Sequence, residues 1–271
     1  MRRREARGRM GGWWFIEAGK RMKVFMMKSA VREYAGRAVL LLLALCVSVP
    51  AAALSIEDVR QRLAATEKGI VSCSLTIRSA IRNIGAGGRE IQKIDREEQV
   101  WVHKPSKQVK RAVGNAEQTW DCAKGVTAKR LGGAVVERPY EYGLEVAIPY
   151  PLVYIACPAY ILGQLAVEKV TENGAMAIVV GRPIGSRRGV GPYTEISVDM
   201  RRGSIDRIRL CDGSGKEIED VRMEGWIRAG DCWMPRQVRR RAYGGRNVMV
   251  SRYTLSAAET NRVTVRAMSL Q

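Results

Sequence analysis

Thr194-Glu-Ile-Ser-Val-Asp-Met-Arg-Arg-Gly-Ser-Ile-Asp-Arg-Ile-Arg-Leu-Cys-Asp-Gly-Ser-Gly215 contains two alternating runs, joined at Arg202-Gly203 and stopped by an Asp-Gly turn. Period-two alternation puts residues i and i+2 on one face of a pleated strand, and glycine supplies the positive φ of a tight hairpin. The same grammar recurs outward. Ser74-Leu-Thr-Ile-Arg78, Gln99-Val-Trp-Val-His103 and Arg246-Asn-Val-Met-Val250 read as strands, with turn signals at Gly87-Gly88, Lys124-Gly125, Gly132-Gly133, Asn173-Gly174 and Gly244-Gly245. An antiparallel meander follows.

Two segments break the pattern. Ser55-Ile-Glu-Asp-Val-Arg-Gln-Arg-Leu63 has a capping serine, an acid three residues later and apolar residues at helical spacing. Tyr150 to Leu165 is a continuous apolar stretch with Pro151 where a helix can begin and Pro158 where it must break, giving two short helical pieces. A sheet this wide must curl or split, and short helices would cover its concave side. The fold class expected is mainly β (α+β), with a strongly curved antiparallel sheet forming an incomplete β-barrel covered by short α-helices.

The chain has 271 residues, 46% hydrophobic and 27% charged, an ordinary globular balance with an unusual formal charge of +19. The first 53 residues hold 11 of the 46 basic and three of the 27 acidic residues, so the remainder is still basic. Lys28, Arg32 and Arg37 precede the apolar run Ala38 to Ser48, which ends in Pro50-Ala-Ala-Ala53. A cationic flank, a short apolar core and a small-residue exit make a secretory signal, with cleavage expected between Ala53 and Leu54. The run is too short for a bilayer-spanning helix, and Leu45 before Cys46 disfavours lipid attachment. Residues 1–53 therefore read as an upstream extension plus signal peptide, and residues 54–271 as one domain in the periplasm.

Five cysteines lie in that domain, and Cys211 and Cys232, flanking neighbouring strands, are the expected disulfide. One histidine and no C-x-x-C spacing argue against a metal site, and no cofactor motif is present. No nucleophile motif accompanies His103, so no catalytic residue is assigned and the protein is expected not to be an enzyme. An exported hydrolase is the alternative of another class, and loss of a hydrolytic activity on changing His103 would revive it. Arg236-Gln-Val-Arg-Arg-Arg241 is the densest basic cluster, with Arg239 and Arg241 on one strand face and Arg240 on the other. No nucleic-acid motif supports it, and an anionic envelope surface suits the charge better. Val100, Val102, Trp120, Tyr154, Ile178, Val180, Ile196, Val198, Ile208, Leu210, Trp226 and Trp233 are candidates to line an apolar cavity. Leu152, Ile155, Ile161 and Leu162 would form its lid.

Val59-Arg-Gln-Arg-Leu-Ala-Ala-Thr-Glu-Lys68, Leu75-Thr-Ile77 and Val100-Trp-Val-His-Lys-Pro105 resemble the opening of periplasmic lipoprotein carriers of the LolA/LolB type. Thr194 to Asp199, Gly203 to Ile208, Asp212 to Gly215, Val221 to Trp226 and Trp233 to Val238 are similar to that family's later strands. The resemblance implies an incomplete barrel whose cavity shelters acyl chains during sorting to the outer membrane. It also implies an acylated lipoprotein or lipid as ligand, inner- and outer-membrane sorting proteins as partners, and a monomer. Envelope sensors that act by protein contact share the fold. The family's early-strand arginine followed by an aromatic residue is absent, because Lys107-Gln-Val-Lys-Arg-Ala112 offers Arg111 without one, and its role is not carried over.

Overall fold

In a computed structural model, residues 54–131, 134–186, 191–230 and 232–270 are described, and the segment expected to be an export signal, Ala53 included, lies outside them. Strands β1 (Ser72–Ile84), β2 (Glu90–His103), β3 (Gln108–Val113), β4 (Ala116–Asp121), β5 (Val126–Leu131) and β6 (Ala134–Pro139) form one meander. A second runs through β7 (Leu165–Asn173), β8 (Met176–Pro183), β9 (Tyr193–Asp199), β10 (Ser204–Cys211), β11 (Glu217–Ala229), β12 (Cys232–Gly244) and β13 (Asn247–Thr260). Antiparallel pairing of β1 with β13 joins the two arms into one 13-stranded sheet with β6 and β7 at its edges. The sheet is not closed.

This order decides where the helices go. The edge strands β6 and β7 are consecutive in sequence, so the chain must cross from one rim to the other between them. It does so in α2 (Leu144–Ala147), α3 (Val153–Ala156) and α4 (Pro158–Gly163), which touch β3, β10 and β7 in turn. Pro158 takes the first position of α4, where its missing N–H costs nothing.

Helix α1 (Ile56–Gly69) packs on α4 and buries Val59 and Leu63 completely. Its capping box is formed as the sequence indicates: Ser55 N–H donates to Asp58 Oδ2 at 2.9 Å, and Asp58 N–H donates to Ser55 Oγ at 3.2 Å. Arg62 donates to the carbonyls of Met200 (2.8 Å) and Arg201, fixing the helix to the β9–β10 turn. That turn passes through Gly203 at φ +67°, directly against the Thr66 hydroxyl, where a side chain would be both strained and obstructed.

The core lies between the helices and the inner face of the sheet. Leu75, Ile77, Val100, Val102, Val109, Val179, Ile196 and Val198 from the sheet meet Leu63, Leu152, Ile155 and Leu162 from the helices, all 5% exposed or less. Burial of this kind contributes about 1.5–3 kcal/mol for each large apolar side chain.

Candidate ligand-binding site

The inner face changes character along the strands. Under the insert it is buried and apolar. Towards the opposite strand ends the residues in line with Ile77 and Val100 become Ser79, Glu98, Arg96 and Arg111. Glu98 is 2% exposed and accepts from Arg111, with Arg96 at 3.6 Å. On the other arm Arg240 stands opposite Val221 and Ser251 and donates twice to Glu219, at 2.7 and 3.1 Å. Its guanidinium lies 5.3 Å from the ring of Tyr150, which meets Tyr154 and Tyr253 edge-on at 5.3 and 5.0 Å. Burial pushes the Tyr154 phenol up to about 12 and raises Tyr150 and Tyr253, so all three stay neutral hydroxyls at physiological pH.

A cavity of about 370 Å³ opens on β4–β6, within the size range of small-ligand pockets. Gln118, Thr127, Lys129, Val136 and Arg138 line it. Cross-strand pairing sets Trp120, Thr127 and Arg138 in one row and Gln118, Lys129 and Val136 in the next, so the cavity shares the face of Trp120. Lys129 and Arg138 have no ion pair among the described residues. Four of the five lining residues are polar or charged, and the two cations beside Trp120 on one face suit an anionic group.

Of the residues expected to line this face, Val100, Val102, Ile196, Val198 and Ile208 belong to the core cluster, and Trp120, Tyr154 and Trp226 pack against it. The expected lid residues Leu152, Ile155 and Leu162 are buried in the same cluster, with Ile161 against it. Ile178, Val180, Leu210 and Trp233 lie outside it. On β8 the inner residues are Ala177 and Val179, because they pair with Val198 and Ile196, and this turns Ile178 and Val180 outward. Trp233 alternates away from the buried Cys232 and Met234 and lies 5.0 Å from the Arg228 guanidinium. Gln118, Thr127, Lys129, Val136 and Arg138 were missed, since their strands carry no run of large apolar residues to mark a face.

The expected Cys211–Cys232 disulfide does not form. Cys211 is opposite Glu217 and Cys232 opposite Ala229, at the two ends of β11. Twelve residues of strand separate those ends by about 40 Å, against the ~7 Å limit between bridged Cα atoms. Among the described residues, none of Cys73, Cys122, Cys157, Cys211 and Cys232 is in a disulfide. Burial pushes Cys73 and Cys157 up to about 12. Alkylation of the native protein at neutral pH is therefore expected to modify half-buried Cys122 first and the four buried thiols at least tenfold more slowly, as peptide mapping would show. Equal rates at all five would contradict the burial.

His103 Nδ1 lies 2.7 Å from the Ser106 hydroxyl and accepts from the Ser106 N–H at 3.3 Å. Ser106 in turn contacts Gln108, which donates to Asp121. This is a turn-stabilising network in which no carboxylate touches the imidazole. Among the described residues no group of three or more His, Cys, Asp or Glu side chains is placed to hold a metal ion.

No family model and no curated protein matches the chain. Solved structures do. A DUF1329 family protein from Desulfovibrio piger is 8% identical, with 78% of this chain and 95% of that one covered at a TM-score of 0.50. The LolA superfamily protein NE2245 from Nitrosomonas europaea is 9% identical, with 80% and 99% covered at 0.49. A domain of the outer membrane lipoprotein-sorting kind from Vibrio parahaemolyticus is 8% identical, with 78% and 95% covered at 0.48. At such identities the likeness is one of fold alone, an open antiparallel sheet covered by short helices, shared with the DUF1329 family structure.

Proposed function

We propose that this chain is an exported, non-enzymatic binding protein that holds a lipid-like or acylated ligand between the inner face of its sheet and the helices of the insert. The observation that carries the reading is the construction of the insert. Helices α2, α3 and α4 have four, four and six residues, and none is capped by the side chain of its own N-cap residue. Helices this short have no stability of their own, so the insert is held by packing and by a few hydrogen bonds from outside it, among them Ala159 N–H to Glu67 Oε2 at 3.0 Å. Separating the insert from the sheet exposes Leu152, Ile155 and Leu162 at about 1.5–3 kcal/mol each, and each CH₂ of an acyl chain entering beneath it returns about 0.8 kcal/mol. Lys104 Nζ steadies the same segment, donating to the carbonyls of Glu67 (2.7 Å) and Ala156 (2.6 Å) and so joining the ends of α1 and α3.

The cavity at Lys129 and Arg138 gives the ligand a polarity. In this reading the anionic head sits there and the chain runs under the insert past Trp120. The sequence resemblance points to acylated lipoprotein on its way to the outer membrane as the cargo, and to the periplasm as the place.

Native mass spectrometry of the protein from its own cell envelope, with the denatured mass fixing the N-terminus, tests the reading. Co-purified lipid or acylated polypeptide released on denaturation is expected. Lys129→Glu with Arg138→Glu is expected to weaken a fluorescent fatty-acid probe about tenfold while sparing its uncharged methyl ester. An empty protein that takes up neither probe would overturn the proposal.

A further inference from the structure

The outer face of the sheet carries an arrangement that stability does not account for. Arg207 on β10, Arg222 on β11, Arg239 on β12 and Arg252 on β13 stand directly opposite one another in register. Their strand neighbours Val221, Met223, Val238 and Tyr253 are buried, so the row points away from the helices. Like charges directly opposed across strands are destabilising.

Nearby acids offset only part of this. Asp220 pairs with Arg207 at 2.6 Å and Arg222 at 2.7 Å, and Glu224 pairs with Arg239 at 3.1 Å. Burial raises the Asp220 carboxyl, but the hydrogen bonds from Arg207 and Arg222 outweigh it and hold the group below the usual range. Arg252 and its neighbour Arg241 have no ion pair among the described residues. Asp220, Arg222, Glu224, Arg239, Arg241 and Arg252 line an open cavity of about 230 Å³.

We propose that this arginine row docks the protein on an anionic phospholipid bilayer, with the guanidinium forks gripping lipid phosphates. Guanidinium matches phosphate bidentately, and three strand spacings make a row about 14 Å long that faces a plane of repeated phosphates. None of the six lining residues named above is aromatic, so the stacking platform of a single-strand nucleic-acid site is missing. The proposal rests on the outer face and not on the cavity reading of the previous section.

Partitioning onto vesicles of equimolar phosphatidylglycerol and phosphatidylethanolamine, with the intact chain, is the test. Arg222→Gln/Arg239→Gln/Arg252→Gln is expected to lower partitioning roughly a hundredfold, from about one kcal/mol per cation near such a surface. A charge-matched control, Arg60→Gln/Lys169→Gln/Arg262→Gln, should change it less than about twofold. Salt near 0.5 M should abolish wild-type binding, and fatty-acid probe uptake should be unaffected by the row variant. Arg252→Thr removes a cation without a partner, so it should melt no lower than wild type and still lose about fivefold. Equal losses in both triple variants, no wild-type binding to anionic vesicles, or tighter row-dependent binding of a single-stranded oligonucleotide would each overturn the proposal.

Discussion

Glu98→Ala is expected to lower the free energy of unfolding by about 3 kcal/mol, at the lower end of the ~3–5 kcal/mol lost when one partner of a buried ion pair is removed. The carboxylate sits on the inner face opposite Ile77, 2% exposed, between the guanidiniums of Arg111 and Arg96. Removing it leaves Arg111, whose side chain is 25% exposed, facing the core with its charge uncompensated. The residual exposure of Arg111 and the 42% of Arg96 admit some water, which is why the lower end applies. Glu98→Gln keeps the shape and a hydrogen-bond acceptor and should cost about half as much. Glu98→Leu with Arg111→Met removes both charges and should come within ~1 kcal/mol of wild type. Urea unfolding of the three variants measures this directly. A cost under ~1 kcal/mol for Glu98→Ala would mean that the pair is screened by water and that the inner face is wet at this point.

What could be read in the chain was local. Ser55 and Asp58 mark the start of α1 because a capping box is a contact between residues three apart. Gly174, Gly203 and Gly215 mark turns because their φ values of +61°, +67° and +89° lie in the left-handed region that favours glycine. What escaped reading depends on a partner strand. Met176-Ala-Ile-Val-Val180 is apolar throughout, so the identity of its inner face is set by pairing with Ile196 and Val198 and not by its own pattern. The first half of β2, Glu90–Glu97, is exposed at every residue. It has no buried face to give it a period and is held by the ladder to β1 and by pairs such as Arg82–Asp95 and Arg78–Glu97. Nor could spacing show that the sheet joins at β1 and β13, which puts Cys73 opposite Thr260 and sends Cys211 and Cys232 to opposite ends of β11. The cavity on β4–β6 belongs to the same class: Lys129 and Arg138 meet only because two short hairpins bring them to one face.

Leu152→Ala is expected to lower global stability by about 3 kcal/mol and, in the same protein, to raise apparent affinity for an acyl probe at least tenfold. Leu152 is fully buried at the turn into α3, and truncating a buried leucine costs ~2.7–5.0 kcal/mol through lost transfer energy and the cavity left behind. The gain in affinity follows from where that side chain lies. It fills the inner face that the proposed function gives to an acyl chain, so on that proposal the closed insert and the ligand compete for one surface. The apparent dissociation constant is the intrinsic one divided by the fraction of molecules with the insert open, and each ~1.4 kcal/mol removed from the cost of opening multiplies that fraction tenfold. Leu152→Met conserves volume and should leave both quantities nearly unchanged. Probe titration beside urea unfolding separates the two possibilities by sign. Tighter binding in the less stable protein is the mark of an insert that must move aside. Weaker binding that falls with stability would make Leu152 a wall of a cavity already open, and the displaced-insert mechanism would be wrong.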